Sequence, residues 1–429
     1  MNATSISDVR GRRVWDSRGR PTVEVEIELA GGARGRAIAP AGASTGSGEA
    51  VDRRDGGEAF GGHDVQGALR AVNDMIAEAL FGLDAEDQDD VDSTLIALDG
   101  TPNKERLGGN ALIATSMAVA HAAAAASGRP LWQYLGGMSA HGLPLPEIQI
   151  FGGGAHAASR VDIQDFMVMA VGADSFAQAL DWTAEVYRAA GALMSEAGLL
   201  QGVADEGGFW PAFEDNEQAL DMLVRAIERA GFRPGEQVAI SLDIAASEFG
   251  ADGQYRLGLE GRQLDSGGLA DMLLGWLDRY PIVSIEDPLG EDDEAGLIAF
   301  TEAAGRRVQI IGDDYLVTDA ARVRHAAEVG ACNAVLVKPN QAGTLTETRE
   351  AFDASRDTGF GSVISARSGE TEDVTIVHLA VGWGAYQLKV GSFARSERMA
   401  KWNEGLRIAE ALDDRAGLPP KDVFPWNRH

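Results

Sequence analysis

The stretch Val238-Ala-Ile-Ser-Leu-Asp243 is the first of five in which a short apolar run ends in a side chain able to do chemistry. The other four are Pro281-Ile-Val-Ser-Ile-Glu286, Val308-Gln-Ile-Ile-Gly-Asp313, Ala334-Val-Leu-Val-Lys338 and Ser362-Val-Ile-Ser-Ala-Arg367. Continuous apolar runs of this length predict strands buried on both faces. The segments between them are long enough for one helix each. The alternation therefore predicts a parallel α/β barrel, with its active site at the C-terminal ends of the strands.

Three of the five terminal residues are carboxylates. Asp243, Glu286 and Asp313 together make a hard oxygen site that suits Mg²⁺. In so acidic a chain, any one of them is also explained as an ordinary surface acid. That explanation weakens for all three, because a carboxylate at the end of a buried strand is costly without a compensating cation. Asp287 and Asp314, next along their strands, should point to the opposite side, and we interpret them as supporting residues.

Two further residues are candidates for acid–base chemistry. Lys338 lies one strand beyond the carboxylates, where nearby cations would lower its proton affinity and let it act as a base. The alternative is a lysine that only pairs with the acids. In Val203-Ala-Asp-Glu-Gly-Gly-Phe209 the two glycines indicate a tight turn that aims one acid into the barrel mouth, so Glu206 is the candidate general acid. The alternative is an ordinary acidic turn.

The composition limits the class of protein. A length of 429 residues predicts two domains. The single cysteine, Cys332, excludes a disulfide framework and favours a reducing compartment, and the first residues lack the form of a signal peptide, so we expect a cytoplasmic protein. The formal charge of −29 argues against nucleic acid as a partner. The apolar run from Met117 to Ala126 is short and contains a histidine, which predicts a packed helix rather than a membrane span.

Residues 1–137 predict a small α+β domain. Apolar and polar residues alternate over residues 4–40, which indicates half-buried antiparallel strands with a turn at Gly31-Gly32. A loop rich in Gly, Ser and Thr follows, and helices are expected from about residue 65 to 136, with Asp92 as a plausible N-cap. Residues 138–429 then form the barrel domain.

Other polar residues give weaker signals on their own. Gly152-Gly-Gly-Ala-His156 is a flexible loop that carries a histidine, and Asp165 lies near the start of another predicted strand. Arg367, Ser368 and Lys389 offer positive charge and a hydroxyl group to a phosphate or a carboxylate.

Motifs along nearly the whole chain resemble those of the enolase family, and their number and order make the resemblance specific. They are Asp16-Ser-Arg-Gly-Arg-Pro-Thr-Val-Glu-Val, Gly42-Ala-Ser-Thr-Gly, Asp205-Glu-Gly-Gly-Phe, Ser284-Ile-Glu-Asp-Pro, Gly312-Asp-Asp, Lys338-Pro-Asn-Gln, Arg367-Ser-Gly-Glu-Thr-Glu-Asp and Ala394-Arg-Ser-Glu-Arg.

The resemblance implies an enolase-type (β/α)8-like barrel behind the α+β domain, and a Mg²⁺-dependent elimination of water from a 2-phosphoglycerate-like substrate. The resemblance implies that a tightly held Mg²⁺ is bound by Asp243, Glu286 and Asp313, and that Ser44 binds a second Mg²⁺, which arrives with substrate. It implies that Lys338 is the base at C2 and Glu206 the acid at the C3 hydroxyl. The implied substrate contacts are Lys389 for the carboxylate, Arg367 and Ser368 for the phosphate, and His156 as the histidine of a closing loop. It also implies a homodimer or larger homo-oligomer, a small phosphorylated substrate, and neither a nucleic-acid nor a membrane partner.

The sequence departs from the family's usual motifs around the implied phosphate site. Ala366 stands where a histidine usually precedes Arg-Ser-Gly-Glu, Asp165 is one methylene shorter than the usual glutamate, and Arg160 lies in a segment that usually contains Asn. One interpretation is neutral drift in a glycolytic enolase. The other, which we favour from the sequence, is a substrate with a carboxyl group on phosphorus: Ala366 opens room beside Arg367, and Arg160 pairs with the added anion. On that interpretation the chain resembles the carboxyphosphonoenolpyruvate synthases of antibiotic pathways.

The sequence disfavours two other classes of protein. A structural or surface-binding protein with an enolase-like sequence would tolerate damage to the carboxylates or to Lys338 and Glu206, and all of these are present. A sugar-acid dehydratase of the same superfamily is disfavoured by the Arg367-Ser-Gly-Glu motif and by the loop that carries Ser44.

Overall fold

The chain begins with a three-stranded antiparallel sheet. The computed structural model describes residues 1–137 and 142–427. The sheet contains β1 (Ile6–Trp15), β2 (Pro21–Leu29) and β3 (Arg34–Ile38), in that order. Alternate apolar residues of β2 are buried, as the pattern predicts. Glu24 on the polar face is buried as well, because the guanidinium of Arg12 pairs with it at 2.5 Å.

Five helices complete the N-terminal part. They are α1 (Gln66–Arg70), α2 (Ala77–Leu80), α3 (Gln88–Asp99), α4 (Gly109–Ala126) and α5 (Leu131–Gly136), with a wider π-type turn, Ala71–Ile76, joining the first two. The predicted N-cap at Asp92 is wrong, because α3 starts one turn earlier and Asp87 accepts the capping hydrogen bond from the backbone N–H of Asp90. Asp92 is buried instead, and its carboxylate accepts hydrogen bonds from Thr346 of the barrel.

Eight strands close into a barrel through pairing of the last with the first. In chain order they are β4 (Leu145–Gly152), β5 (Asp165–Met169), β8 (Ala239–Asp243), β12 (Ile282–Glu286), β13 (Gln309–Gly312), β14 (Ala334–Val337), β15 (Gly361–Ser365) and β16 (Gln387–Ser392). The predicted barrel is confirmed, with one difference. β5 runs antiparallel to both of its neighbours, because a loop and not a helix connects it to β4.

Helices cover the outside of the barrel, and short hairpins lie at its rim. The helices are α6 (Phe176–Glu196), α7 (Glu217–Arg229), α8 (Ser266–Arg279), α9 (Glu294–Ala304), α10 (Ala320–Val329), α11 (Pro339–Ala342), α12 (Leu345–Thr358), α13 (Thr375–Trp383) and α14 (Ser396–Leu412). The hairpin strands are β6 (Leu200–Val203), β7 (Phe209–Pro211), β9 (Gly250–Ala251), β10 (Gln254–Leu257) and β11 (Arg262–Asp265).

The N-terminal part packs directly on the barrel. One hydrophobic cluster contains buried residues of both, and polar contacts cross between them, such as Lys104 with Glu347 at 2.5 Å. The predicted domain boundary between residues 137 and 138 stays a prediction, and residues 138–141 lie outside the described part of the chain. Helix α4 is long and apolar enough to cross a membrane, but 83% of it is buried inside the protein, as expected for a packed helix.

Two histidines, His378 buried and His121 half-buried, lie where α4 meets α13. The imidazole of His378 lies 6.2 Å from that of His121, between ring centroids, and its Nε2 is 3.5 Å from Glu404. Burial lowers the pKa of His378, the neighbouring His121 lowers it further, and together they outweigh Glu404 and Asp373 to bring it to about 4. Folding therefore requires this imidazole to be neutral.

We expect acid to destabilise the fold through His378. Its folded pKa lies below that of an unfolded histidine, so the unfolded chain binds the proton more tightly. The contribution is complete above pH 6.5 and is lost as the pH falls toward 4, by about 3 kcal/mol in all. Urea unfolding at pH 7 and pH 5 should show a loss about 2 kcal/mol larger in the wild type than in His378→Gln. Equal losses would show that His378 is not buried in its neutral form.

Candidate active site

The three predicted carboxylates meet at one end of the barrel. Asp243 is the last residue of β8 and Glu286 the last of β12, and the two are direct partners in the parallel ladder. Asp313 follows β13, the next strand. All three are buried. Since parallel strands all end at the same rim, the sequence pattern alone brings these side chains together.

Two lysines neutralise these carboxylates. The Lys389 ammonium lies 2.8 Å from Asp243 Oδ2 and 2.7 Å from Glu286 Oε2, and Lys338 donates to Asp313 Oδ2. Burial would lower the pKa of Lys338, but the charge of Asp313 outweighs it and raises the pKa. Lys338 therefore does not show the predicted loss of proton affinity in the protein alone. The geometry instead shows the alternative, a lysine paired with a carboxylate.

Asp287 and Asp314 support the rim, but the prediction that they point away from the ligands is wrong, because a carboxylate oxygen of each lies within 4.8 Å of one of Asp313. The carboxylate of Asp287 accepts the backbone N–H groups of Asp313 and Asp314 at 2.8 and 2.9 Å, which fixes the chain after β13. Burial and the charge of Asp313 raise the pKa of Asp287 to about 8. Burial and the charge of Asp287 raise the pKa of Asp314 to about 9. Protonation thus relieves part of the crowding of acids at the rim.

Buried oxygen atoms without partners indicate where a cation fits. Glu286 Oε1, Asp165 Oδ2 and Gln164 Oε1 have no hydrogen-bond partner among residues 1–137 and 142–427. Carboxylate and amide oxygens are the ligands that Mg²⁺ prefers. Of the three predicted ligands, Glu286 contributes one of these oxygens, while Asp243 and Asp313 offer carboxylates that are paired with Lys389 and Lys338. The chemistry of the three therefore fits the ion.

The described residues contain two tighter groups of possible ligands, with atoms within 4.8 Å of one another: His156, Asp165 and Glu206 in one, and Asp287, Asp313 and Asp314 in the other.

His156 lies at the centre of a polar chain. Its Nδ1 is 3.1 Å from Asp165 Oδ1, and its Nε2 is 3.0 Å from Ser368 Oγ and 3.7 Å from Glu206 Oε1. Burial would lower the pKa of His156, but the charges of Glu206 and Asp165 outweigh it and raise the pKa to about 9. A protonated imidazole at this position suits an anionic ligand.

The turn after Glu206 needs its glycines. Gly207 has a φ of 94°, which few side chains tolerate, and a Cβ there would lie 2.5 Å from the carbonyl oxygen of Ala394. The carbonyl of Glu206 accepts the backbone N–H of Ser392 at 2.9 Å. The predicted tight turn is present, and it aims the Glu206 carboxylate at His156.

A small cavity brings most of the predicted residues together. Its lining includes Ser44, His156, Asp165, Glu206, Asp243, Lys338, Ala366, Arg367, Ser368 and Lys389. Glu286 and Asp313 join this group through Lys389 and Lys338. The free volume is about 20 Å³, which holds about one water molecule. A substrate therefore enters only if loops or side chains rearrange. Arg160 is exposed and does not line the cavity.

Four neighbours of the site were not predicted. Gln164 donates to Asp243 at 3.1 Å, Gln149 donates to Asp165, and Gln341 donates to Asp313 at 2.8 Å. Glu49 pairs with Arg367 at 2.8 Å. Gln341 ends the motif Lys338-Pro-Asn-Gln, and Gln164 directly precedes Asp165, so the position of each next to a candidate site residue was a usable signal. Nothing in the pattern marks Gln149 or Glu49.

Comparison with known proteins agrees with this geometry. The family described as "Enolase, N-terminal domain" matches residues 6–135, and "Enolase, C-terminal TIM barrel domain" matches residues 140–424. A protein named Enolase 1 from Desulfitobacterium hafniense (strain Y51) is 49% identical over 427 residues, which cover 99% of this chain and 98% of that protein.

The chain belongs to the enolase family. The resemblance inferred from the motifs is thereby confirmed, and so is the enzyme class, a lyase of the phosphopyruvate hydratase type. Enolases depend on Mg²⁺ and act on small phosphorylated substrates, and the acidic groups of this barrel are compatible with metal binding. Which residue plays which role remains a prediction.

We expect Mg²⁺ to stabilise this enolase through Glu286. A ligand that binds only the folded state adds about 2.7 kcal/mol of stability at 100 times its dissociation constant. Thermal unfolding with EDTA and then with Mg²⁺ should show a clear rise in midpoint for the wild type and little or none for Glu286→Gln. The control Glu236→Gln removes a carboxylate from an exposed ion pair and should respond like the wild type. An equal rise in all three proteins would remove Glu286 from the metal site.

Proposed function

We propose that the chain catalyses the reversible dehydration of 2-phosphoglycerate to phosphoenolpyruvate. The observation that carries this proposal is the 49% identity, over nearly the full length of both chains, to a protein named Enolase 1. A second support is the cavity itself, which holds Lys338 and Glu206 together with three candidate anion contacts: Arg367, Ser368 and Lys389.

The charges around the cavity support a requirement for two divalent cations. Six carboxylates, Glu49, Asp165, Glu206, Asp243, Glu286 and Asp313, surround four basic groups, Lys338, Arg367, Lys389 and His156. With all six ionised, two negative charges remain, and burial together with the charge of Asp243 raises the pKa of Glu286 well above its usual range, so this acid holds a proton more readily until a cation binds. A substrate with a carboxylate and a phosphate adds about three negative charges, and two Mg²⁺ ions, the number implied by the family resemblance, would offset most of the sum.

The side chains around the cavity are assigned to separate steps of this reaction. Lys338, as the base, takes the proton from C2, and Glu206, as the acid, protonates the departing C3 hydroxyl. Lys389 lies between Asp243 and Glu286, where it can hold the substrate carboxylate beside the ligands. When bound, Mg²⁺ supplies the charge that stabilises the dianion developing on that carboxylate. Arg367, Ser368 and protonated His156 then hold the phosphate.

A second candidate substrate carries a carboxyl group on phosphorus and would give carboxyphosphonoenolpyruvate in an antibiotic pathway. Ala366 favours it, because this small residue lines the cavity beside Arg367, where related motifs carry histidine. The name of the relative favours the ordinary substrate. Arg160, expected to pair with the added anion, is exposed and outside the cavity. We therefore place this candidate second.

We further propose that the enzyme works in the cytoplasm as a homodimer or larger homo-oligomer. The lone buried Cys332 supports a reducing compartment. The oligomer is proposed from the family resemblance.

Isotope exchange separates the two acid–base roles. In deuterated water with Mg²⁺, Lys338→Met should lose both hydrogen exchange at C2 and formation of the enol, by roughly 100- to 10,000-fold. Glu206→Gln should keep exchange at C2 and lose dehydration, because the proton is removed before the hydroxyl departs. The control Lys421→Met, at an exposed lysine, should behave like the wild type. Retained C2 exchange in Lys338→Met would assign the base elsewhere.

Ala366→His distinguishes the two substrates. If 2-phosphoglycerate is the substrate, the wild type converts it with a higher kcat/KM than the carboxylated analogue. Ala366→His then changes the preference between the two compounds little. If the carboxylated analogue is the substrate, the wild type prefers that analogue, and the added imidazole depresses its conversion while raising that of 2-phosphoglycerate. Steady-state kinetics of both proteins on both compounds decide between these results.

A further inference from the structure

One edge of the Arg367 guanidinium is filled by a carboxylate of the protein itself. Nη1 donates to Glu49 Oε2 at 2.8 Å, and Nη2 donates to Glu49 Oε1 at 3.3 Å. This is a two-point contact on the end of the guanidinium, the geometry in which arginine binds carboxylates and phosphates best. Asn340 accepts a further hydrogen bond from Nη1 at 3.1 Å. Both side chains of the pair are almost fully buried, at 2% exposure for Arg367 and 7% for Glu49.

The side edge of the same guanidinium remains for a ligand. Within residues 1–137 and 142–427, the hydrogen bonds of the Arg367 guanidinium are made by Nη1 and Nη2 and none by Nε, and the remaining Nη2 hydrogen bond goes to the carbonyl of Ser44 at 2.9 Å. Gly42 lies against this group, and a Cβ there would be 2.0 Å from Nη2. A phosphate that uses Nε and Nη2 must therefore displace a loop carbonyl, but it need not displace Glu49.

Glu49 also connects the loop to the carboxylate rim. Its Oε1 accepts the backbone N–H of Gly46 at 3.0 Å and the amide of Gln341 at 3.2 Å. The same Gln341 nitrogen donates to Asp313 Oδ1 at 2.8 Å. Thr318 donates to the amide oxygen of Gln341 at 2.6 Å, which fixes the orientation of the amide. One carboxylate thus links the Ser44 loop, the anion-binding arginine and a candidate metal ligand.

We propose that Glu49 is the positioning residue of the phosphate site: it holds Arg367 by the end of its guanidinium so that the Nε–Nη2 edge faces the phosphoryl group. This inference rests on the proposed function, because it takes a phosphorylated compound as the ligand. It adds a second residue from the N-terminal part, after Ser44, to a site built mainly by the barrel.

Glu49 has two opposite effects on a phosphorylated ligand: its charge weakens binding, and its contact with Arg367 keeps the bound ligand aligned. Its negative charge repels a phosphate on the other side of the guanidinium, so the ion pair weakens binding of a free anion. The same pair prevents the guanidinium from turning, so a bound substrate stays aligned for reaction. Glu49 therefore lowers ground-state affinity and raises turnover, which is a signature that a merely structural ion pair does not have.

Three variants separate these effects. Glu49→Gln removes the charge and one of the two contacts. Glu49→Asp keeps the charge but is one methylene too short for both contacts. The control Glu347→Gln breaks another ion pair between the N-terminal part and the barrel, Lys104 with Glu347, outside the cavity. The measurements are calorimetric titration of inorganic phosphate in the presence of Mg²⁺, kcat and KM for 2-phosphoglycerate, and the thermal midpoint.

Glu49→Gln should bind inorganic phosphate about tenfold more tightly than the wild type, because one opposing charge is gone, and its kcat should fall roughly 10- to 100-fold. Glu49→Asp should keep the wild-type phosphate affinity and still lose kcat. Glu347→Gln should change only the midpoint.

The proposal is overturned if Glu49→Gln leaves phosphate affinity and kcat within twofold of the wild type, or if it lowers both together with the midpoint. It is also overturned if phosphate binds neither the wild type nor Glu49→Gln. If the wild type binds phosphate but does not convert 2-phosphoglycerate, the proposed function fails, and the phosphate titrations still decide the role of Glu49.

Discussion

The active end of the barrel is governed by the cost of burying negative charge. Asp243, Glu286 and Asp313 are nearly inaccessible to solvent, and a carboxylate buried without a partner is expensive. The strand ends fix these side chains close together, so the protein cannot spread the charge. Two buried ammonium groups, Lys338 and Lys389, hold the cluster together in the absence of other cations. Buried ion pairs of this kind hold the side chains in one arrangement. Because the three carboxylates outnumber the two ammonium groups, the site still favours a further cation.

The same constraint explains why the N-terminal part reaches into the barrel mouth. Arg367 is a buried cation, and among the described residues of the barrel Asn340 is the side chain that accepts a hydrogen bond from its guanidinium, while Asp313 and Asp314 act on it only through their charge. Glu49 comes from outside the barrel to meet that need, and its loop carries Ser44 with it. The loop is therefore held by an electrostatic contact with Arg367, at the proposed phosphate site. Binding an anion there and moving the loop are coupled, because both use Nη2 of Arg367.

Sequence reasoning worked best where a periodic pattern and a chemical cost coincided. An apolar run that ends in Asp or Glu predicts both a buried strand and a demand for a cation, and this placed Asp243 and Glu286 at the ends of their strands. It failed where tertiary contacts decide. The antiparallel direction of β5 depends on a loop where the barrel rhythm suggests a helix. The N-cap of α3 is Asp87 and not Asp92, because Asp92 is covered by the barrel and bonded to Thr346.

Glu49 illustrates a different limit of the sequence. It stands in Gly46-Ser-Gly-Glu49, a segment with no periodicity, and its partner lies 318 positions further along the chain. Only the fold brings the two together. The proton affinity of Lys338 is similar, because it depends on a carboxylate one strand away, and the sequence permitted both a neutral and a paired lysine.

Charge also decides how the space beside Ala366 should be interpreted. A small residue at this position makes room for a larger substrate, but room alone does not bind an anion. A carboxyl group on phosphorus takes the place of one phosphate oxygen, so it enlarges the anion and moves its negative charge outward without adding a full charge. Arg160 does not reach the cavity, and an alanine in place of a histidine takes away a possible cation instead of adding one. The volume beside Arg367 permits the carboxylated compound, but the described lining of the cavity adds no basic group there to hold the displaced carboxylate, so the site offers room without a dedicated contact.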